Sequence, residues 1–381
     1  MPPPHASSAR FSLLAMFVLH GMLFGLWATQ IPLAKVRLDA SLTTFGVALL
    51  CVAAGAVVAM PVAGALINLF GSARLTMVTG MMFAASVAAP SLAPNLLLFM
   101  TGGALLGASI GSMDVAMNAH GLLIERALKR PVMSGFHGGF SIGAAVGTIG
   151  GAWLLGAAGP AVQLAAVCGP VFIAMLVCSH YLLPSHLDRG LSGSHFAWPT
   201  GASIGLGLLC FLALMIEGSV ADWGALMLRE RFVVDAAFAA MAFGFYQTGM
   251  SVARFTGDRL RLHFGAVRLV AASAGLTAAG TAAALLVPHP GLSLVAFAFA
   301  GIGIGNVAPI LFAGGGRLEP DAPGRGIAAV TSLGYSGFLA GPPLIGVVAD
   351  FTSLQQAMFI TVAAALIIAF CARMVKAADT Y

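Results

Sequence analysis

Long apolar runs dominate this chain, and their length restricts what it can fold into. A helix needs about 20 apolar residues to cross the hydrocarbon layer of a bilayer. Twelve runs of roughly this length follow one another, separated by Gly, Pro or charged residues. We therefore predict an all-α membrane protein with twelve transmembrane helices. The predicted spans are 11–33, 42–67, 75–92, 95–121, 132–157, 161–183, 200–222, 236–256, 267–287, 291–312, 326–349 and 353–375.

Composition supports this class and excludes several kinds of chemistry. Hydrophobic residues make up 59% of the chain and charged residues 8%, whereas about a quarter of the residues in soluble domains are charged. The five cysteines lie in apolar runs without a CxxC pair, so we expect neither a disulfide nor a metal site. The chain lacks a P-loop pattern and a nucleophile and base at workable spacing. We predict no enzyme activity and no cofactor.

The basic residues predict the orientation. If both termini lie in the cytoplasm, fourteen Lys and Arg residues fall on the cytoplasmic side, among them Arg254 near the end of the eighth span. The remaining four, Lys35, Arg37, Arg229 and Arg231, fall outside. Cytoplasmic loops of membrane proteins carry an excess of Lys and Arg. We expect a multi-pass protein of the bacterial inner membrane with both termini cytoplasmic, and no nucleic-acid partner.

Two short sequence matches suggest a duplicated half. Residues 70–75, Phe-Gly-x-x-Arg-Leu, match residues 264–269, and residues 139–143, Gly-Phe-x-x-Gly, match residues 337–341. Both offsets are close to half of the chain length, as an internal repeat requires. We predict two pseudo-symmetric six-helix bundles, residues 1–183 and 200–381, joined by a central cytoplasmic loop at residues 184–199.

The sequence between the second and third spans resembles the signature of the major facilitator superfamily. Residues 64–74, Gly-Ala-Leu-Ile-Asn-Leu-Phe-Gly-Ser-Ala-Arg, are similar to the family's Gly-x-Leu-x-Asp-Arg-x-Gly-Arg pattern, although Asn68 and Leu69 replace its Asp and Arg. Residues 257–260 with Gly265 and Arg268 resemble a displaced second copy. The resemblance implies alternating access and cytoplasmic latches, in which Arg74, Asp258 and Arg259 would act as gating residues.

Ionisable side chains inside lipid are costly and usually face the interior of the bundle or a wet cavity. Asp114 and Asn118 lie one turn apart in the fourth span, continuing a stripe of glycines at every fourth residue from Gly103. Around them, residues 113–137 resemble a bacterial branch of the family near the sugar and fucose permeases. His137 is expected at a similar depth on the fifth helix. Asp114 and His137 could form a proton-handling pair or a static hydrogen bond between helices.

Other polar residues at membrane depth are further candidates. Glu217 is expected to have one of two roles. It either belongs to the proton-coupling or substrate site, or it forms part of an external gate. Asp222 is interpreted as a solvated cap or a gate partner of Arg229 or Arg231, and the adjacent Trp223 as an aromatic residue at the membrane interface. Substrate-binding candidates are Asn118, His20, Trp27, Gln30, Tyr246, Gln247, Asn306 and Tyr335. Each has a structural alternative, because buried histidines, interfacial tryptophans and amides between helices are common.

The function predicted from these features is secondary active transport of a small polar solute, sugar-like or organic, by alternating access with protons, as a symporter. Asp114, His137 and Glu217 would couple the proton, and the partners would be the solute, protons and the bilayer. One alternative is a proton-driven exporter of amphipathic compounds. Another is a membrane sensor or assembly factor that does not transport. We expect a monomer.

Overall fold

The computed structural model describes residues 6–130, 132–187, 201–319 and 323–379, without the side chains of Ala202, Pro323 and Gly324. Within these residues the regular elements are helices. By spatial contacts the chain divides into two units, residues 1–39 with 51–193, and residues 40–50 with 194–381. The predicted central loop falls largely on residues 188–200, outside the described residues, so its boundaries remain a prediction.

The first six helices occupy the N-terminal half. They are α1 Ala6–Leu38, α2 Leu42–Phe70, α3 Ser72–Ser86 with the single turn Ala88–Ser91, α4 Leu96–Leu128, and the stretch Met133–Ser179, which contains α5 and α6. Gly159, with φ of 80°, breaks this last stretch. Because this backbone conformation is open to glycine at little cost, the break separates α5, residues 133–158, from α6, residues 160–179.

The second half repeats this number of helices. They are α7 Gly201–Phe232, α8 Ala236–Phe264, α9 Ala266–Leu286, α10 Pro290–Ile304 with Val307–Leu318, α11 Pro323–Phe351, and α12 Leu354–Ala357 with Phe359–Phe370. Short 3-10 segments, Ser185–Leu187 and Ala372–Asp379, follow α6 and α12. Among the described residues, nine helices are long and apolar enough to span a membrane when Met133–Ser179 counts once. Separating α5 from α6 and adding α8 and α12 gives the twelve predicted spans.

Close contact between α1 and α5 organises the first unit. A Cβ on Gly143 would lie 2.0 Å from the Val18 carbonyl oxygen, and one on Gly147 would lie 2.1 Å from that of Met22. Side chains at these positions would push the helices apart, so glycine permits the contact. The glycines of α4 permit a similarly close contact with α2, since a Cβ on Gly107 would lie 1.8 Å from the Val52 carbonyl oxygen.

The second unit reproduces these contacts with α7 and α11. A Cβ on Gly337 would lie 2.2 Å from the Phe211 carbonyl oxygen. The helix junctions agree as well, because Gly71 between α2 and α3 has φ of 83° and Gly265 between α8 and α9 has φ of 78°. The match at residues 70–75 and 264–269 thus coincides with matching backbone geometry, which supports the predicted repeat. In the second match the contacts pair Gly337 with Gly143, four residues from the register that the sequence suggested.

By their spatial contacts, residues 40–50, which include the first turns of α2, belong to the second unit. The sequence did not predict this. The Asp350 carboxylate near the end of α11 accepts hydrogen bonds from the backbone N–H groups of Leu42, at 3.0 Å, and Thr43, at 2.8 Å. The first N–H groups of a helix have no partner within the helix. Asp350 therefore caps α2 from a position far away in the sequence.

Candidate functional site

An ion pair lies inside the helices of the second unit. Glu217 projects from the middle of α7, and its carboxylate oxygen is 4.0 Å from a guanidinium nitrogen of Arg254 on α8. The two side chains are 15% and 12% exposed. The sequence counts Arg254 with the basic residues of the cytoplasmic side, near the end of the predicted eighth span. The helix α8 continues to Phe264, so Arg254 lies within it and turns toward Glu217.

Two further predicted residues, Gln247 and Tyr246, accompany this pair. Gln247 lies against Glu217, close enough to interact with its carboxylate but without the geometry of a full hydrogen bond. The charges of Glu217 and Arg254 both act on the phenol of Tyr246. Gln247 and Tyr246 are fully buried, and neither the amide atoms nor the phenol oxygen has a hydrogen-bond partner. Buried polar atoms of this kind are uncommon and call for an explanation such as a ligand.

Asp222 and Trp223 lie elsewhere than the sequence indicated. The predicted seventh span stops at residue 222, whereas α7 extends to Phe232. Trp223 is 0% exposed and its ring contacts Phe45 at 6.2 Å, so it is not an interfacial anchor. Asp222 is half-buried within α7 and is therefore not a solvated cap. The helix α7 is longer than its apolar run, because a helix can continue with polar residues beyond the hydrocarbon layer.

Asp114 and Asn118 meet on α4 as their spacing predicts. The Asn118 amide donates to the Asp114 carboxylate at 3.0 Å and to the Asp114 backbone carbonyl at 2.9 Å. Both side chains are half-buried. Residues four apart are neighbours on one helix face, so the bond fixes the position of the carboxylate. The pairing of Asp114 with His137 stays a prediction.

Aromatic rings surround His20 on α1. The imidazole meets Phe83 edge-on at 5.1 Å and Phe140 at 5.4 Å. His20 is 2% exposed, and neither ring nitrogen has a hydrogen-bond partner. His137 lies near enough to interact with it electrostatically, and its own ring is 5.5 Å from Phe17. The structure thus brings two histidines together where the sequence singled out each separately.

Gln30 belongs to a hydrogen-bonded network that the sequence analysis missed. Its amide donates to the side-chain oxygen of Gln163 on α6. The Gln163 amide in turn donates to the Thr29 hydroxyl at 2.7 Å and to the Gly151 carbonyl at 2.8 Å. Gln163 is the one glutamine in the long apolar stretch of α5 and α6, and this isolation was the available signal. Trp27, 3% exposed, packs beside Phe99 with 6.0 Å between rings.

Asn306 and Tyr335 complete the predicted substrate-binding set. Asn306 lies at the break in α10, and its side-chain oxygen would be 2.0 Å from a Cβ on Gly257 of α8. The following Pro309 lacks an N–H group and cannot continue the helical hydrogen bonds. The ring of Tyr335 on α11 is 6.2 Å from that of Phe338. These contacts join neither residue to the Glu217 pair.

The predicted gating residues Arg74, Asp258 and Arg259 are exposed. Their gating role stays a prediction. Near Arg74, the buried His120 accepts the backbone N–H of Leu183 at 3.1 Å and meets the Ser72 hydroxyl at 2.8 Å. His120 was not singled out in the sequence, because a lone histidine in an apolar helix gives no sign of its partners.

Comparison with known proteins identifies the family. Residues 13–313 match the family model described as Major Facilitator Superfamily. An uncharacterized MFS-type transporter of Yersinia pestis is 30% identical over 370 residues, covering 94% of each chain. The nucleoside transporter NupG has a similar structure, with a TM-score of 0.74 and 13% identity over 96% of this chain and 99% of that one. The E. coli fucose:proton symporter FucP gives 0.65 and 16% identity, over 96% and 98%. The protein belongs to the Major Facilitator Superfamily and is a multi-pass membrane transporter rather than an enzyme.

Proposed function

We propose that this family member is a secondary active transporter that moves a small polar solute together with protons by alternating access. The observation that carries the proposal is Glu217, a carboxylate within the membrane-spanning part of α7 that lies beside Arg254 and Gln247. Acids at this depth are costly and are retained for function in most membrane proteins. A carboxylate is also the simplest group that can accept a proton during a transport cycle.

Asp114 is the second carboxylate at membrane depth in this proposal. Its bond to Asn118 holds it in one orientation on α4. In the proposed cycle Asp114 accepts a proton, while Asn118 and His137 adjust its protonation and contact the solute. Glu217, Gln247, Asn306 and Tyr335 contribute from the second half.

Two structural relatives support a polar solute. One of them is a nucleoside transporter and the other is a fucose:proton symporter. Their sequence identity of 13% and 16% is low, so their substrates are not transferred to this chain. The amides and phenol near Glu217 are groups that hydrogen-bond hydroxyls and carbonyls.

Proton flux in proteoliposomes tests the proposal. Purified protein would be reconstituted with a pH-sensitive dye inside, and sugars, nucleosides, organic acids and amino acids would be added outside. At least one solute is expected to cause proton entry in the wild type, at a rate at least tenfold above that of Glu217→Gln. The exposed residue Asp39 offers a matched control, and Asp39→Asn should behave like the wild type. Solute uptake without proton entry, or equal proton entry in Glu217→Gln, contradicts the proposal.

The aromatic surroundings of His20 favour a second candidate function, the export of amphipathic compounds. Phe83 and Phe140 contact its ring, and Phe24 lies 5.9 Å from Phe140. Aromatic faces bind flat apolar compounds and cations. An exporter would lower the accumulation of a cationic dye in expressing cells, and His20→Ala would restore it. Unchanged dye accumulation would exclude this candidate.

A further inference from the structure

A groove of about 550 Å³ opens on the first unit where the end of α3 meets α4. The single turn Ala88–Ser91, the link that follows it and the first turns of α4 line this groove. Among the described residues that line it none is ionisable, and Thr101 supplies the one polar side chain. Its hydroxyl donates to the Leu97 carbonyl at 3.0 Å, within its own helix. The groove therefore suits an apolar chain rather than a polar solute.

Small residues keep this groove open. A Cβ on Gly102 would lie 3.0 Å from the carbonyl carbon of Ala89, so the two backbones approach closely and leave no large side chain between them. Leu92, Leu98 and Leu105 border the groove and are 52%, 50% and 50% exposed. Uncovered apolar surface of this kind marks a site where a protein or the membrane binds.

The length of the groove matches one leaflet of a bilayer. It begins beside Pro94, between the predicted third and fourth spans, and reaches Leu105. At the rise of an α-helix this distance is roughly 16 Å along α4. The hydrocarbon layer is about 30 Å thick, so the groove crosses about half of it. An acyl chain of one leaflet runs over the same depth.

Arg37, at the end of α1, places a positive charge at the outer end of the groove. Its Nε donates to the Ala93 carbonyl at 2.8 Å and its Nη2 to the Pro90 carbonyl at 3.2 Å. A guanidinium has five N–H donors, so three are left for a ligand, and the side chain is exposed. Among the described residues no carboxylate forms an ion pair with it. The two carbonyl bonds thus fix a charge beside the apolar groove.

The second half contains a counterpart of this arginine. Arg231, at the end of α7, donates to the Ala284 carbonyl at 3.3 Å. Arg231 and Ala284 follow Arg37 and Pro90 at the offset that also relates residues 70–75 to residues 264–269. The guanidinium of Arg231 lies over the Phe232 ring at 4.6 Å and is half-buried, whereas Arg37 is exposed. Arg231 is therefore a matched comparison for Arg37.

We propose that the groove binds a phospholipid of the bilayer, with its phosphate on Arg37 and one acyl chain along Leu98 and Leu105. A guanidinium pairs with phosphate in a two-pronged geometry. Bilayer phosphates lie where the spans begin, which is the level of Arg37, and the chain below a phosphate enters the hydrocarbon layer as the groove does. The positive charge at one end and the apolar lining along the rest match the two parts of a phospholipid.

Native mass spectrometry of the full-length protein in detergent tests this inference. The probes are dioleoylphosphatidylglycerol and dioleoylglycerol, which share their acyl chains, whereas only the first carries a phosphate. The wild type should bind its first phospholipid roughly tenfold more tightly than dioleoylglycerol, as expected for a charge-assisted pair. Arg37→Gln should remove this difference. Thr101→Trp, at an exposed position in the groove, should weaken binding of both lipids, because the indole ring occupies the place of the acyl chain.

Arg231→Gln is the control for charge, and it should keep the preference for the phospholipid. Thr101→Trp leaves the bonds of Arg37 in place, so it tests the groove even if Arg37→Gln does not fold. Equal binding of the two lipids by the wild type, an unchanged preference in Arg37→Gln or unchanged binding in Thr101→Trp overturns the inference. A dimer that Thr101→Trp dissociates would show that a second copy of the chain covers the groove, and would overturn it too.

Discussion

The two halves of the molecule share a backbone plan but use their buried polar groups differently. In the first half, Gln163 satisfies its hydrogen bonds across α1, α5 and α6. In the second half, Gln247 is equally buried and makes no full hydrogen bond, beside an ion pair. A satisfied amide stabilises helix packing, whereas an unsatisfied one lowers stability. Gln163 thus supports helix packing in the first half, whereas Gln247 lies beside the ion pair of the second half without a full hydrogen bond.

Removal of one member of the ion pair should have the largest effect. Arg254→Gln leaves the Glu217 carboxylate without its counter-charge, and breaking a buried pair costs about 3–5 kcal/mol. We expect a large loss of thermal stability together with loss of transport, measured on purified and reconstituted protein. The double variant with Glu217→Gln should recover most of the stability. Equal stability of wild type and Arg254→Gln would mean that the pair is solvated.

The acid of the first half should affect coupling rather than folding. Asp114→Asn should abolish solute accumulation driven by a pH gradient while solute exchange continues, because exchange needs no net proton movement. Uptake and counterflow in proteoliposomes separate these two activities. Asn118→Ala, which removes the amide bond to Asp114, should weaken accumulation without abolishing it. Accumulation by Asp114→Asn at the wild-type rate would remove Asp114 from the coupling mechanism.

The matching glycine contacts predict equal effects in both halves. A methyl group on Gly143 or Gly337 would meet a carbonyl oxygen of the neighbouring helix. Gly143→Ala and Gly337→Ala should each lower stability by about 1–3 kcal/mol, the usual cost of overpacking. Gly150→Ala is the control, since nothing lies within 4 Å of its added Cβ. If only one of Gly143→Ala and Gly337→Ala lowers stability, the two helix contacts are not equivalent.

The two buried glutamines test the opening contrast directly. Gln163→Leu removes three side-chain hydrogen bonds and should cost about 1–3 kcal/mol. Gln247→Leu should leave thermal stability unchanged or higher, because its amide makes no full hydrogen bond. The same substitution should weaken solute binding at the second-half site. If Gln247→Leu destabilises the protein as much as Gln163→Leu does, the two amides play the same structural part.

The sequence predicted the features that depend on local pattern. Apolar length predicted the twelve spans, and four-residue spacing predicted that Asp114 and Asn118 lie on one face of α4. The glycine match at residues 71 and 265 predicted two junctions of similar backbone geometry. Each of these follows from neighbours along the chain or from a repeated segment.

Features that depend on helix ends and on partners far away in the sequence were not predictable. Apolarity marks where a helix crosses lipid, but α8 and α7 continue beyond that region. For this reason Arg254 was counted with the cytoplasmic residues and Trp223 was placed at the interface. The partners of Gln163 and Asp350 lie on other helices, and the sequence gives no pairing rule for them.

Infrared difference spectroscopy tests the central claim most directly, because it detects protonation of a buried carboxyl group. Purified protein would be exposed at neutral pH to the solute that causes proton entry in proteoliposomes. We predict that binding produces a carbonyl band of a protonated carboxylic acid, and that this band is absent in Glu217→Gln but present in Asp39→Asn. Binding without such a band, or a band that persists in Glu217→Gln, would contradict the account.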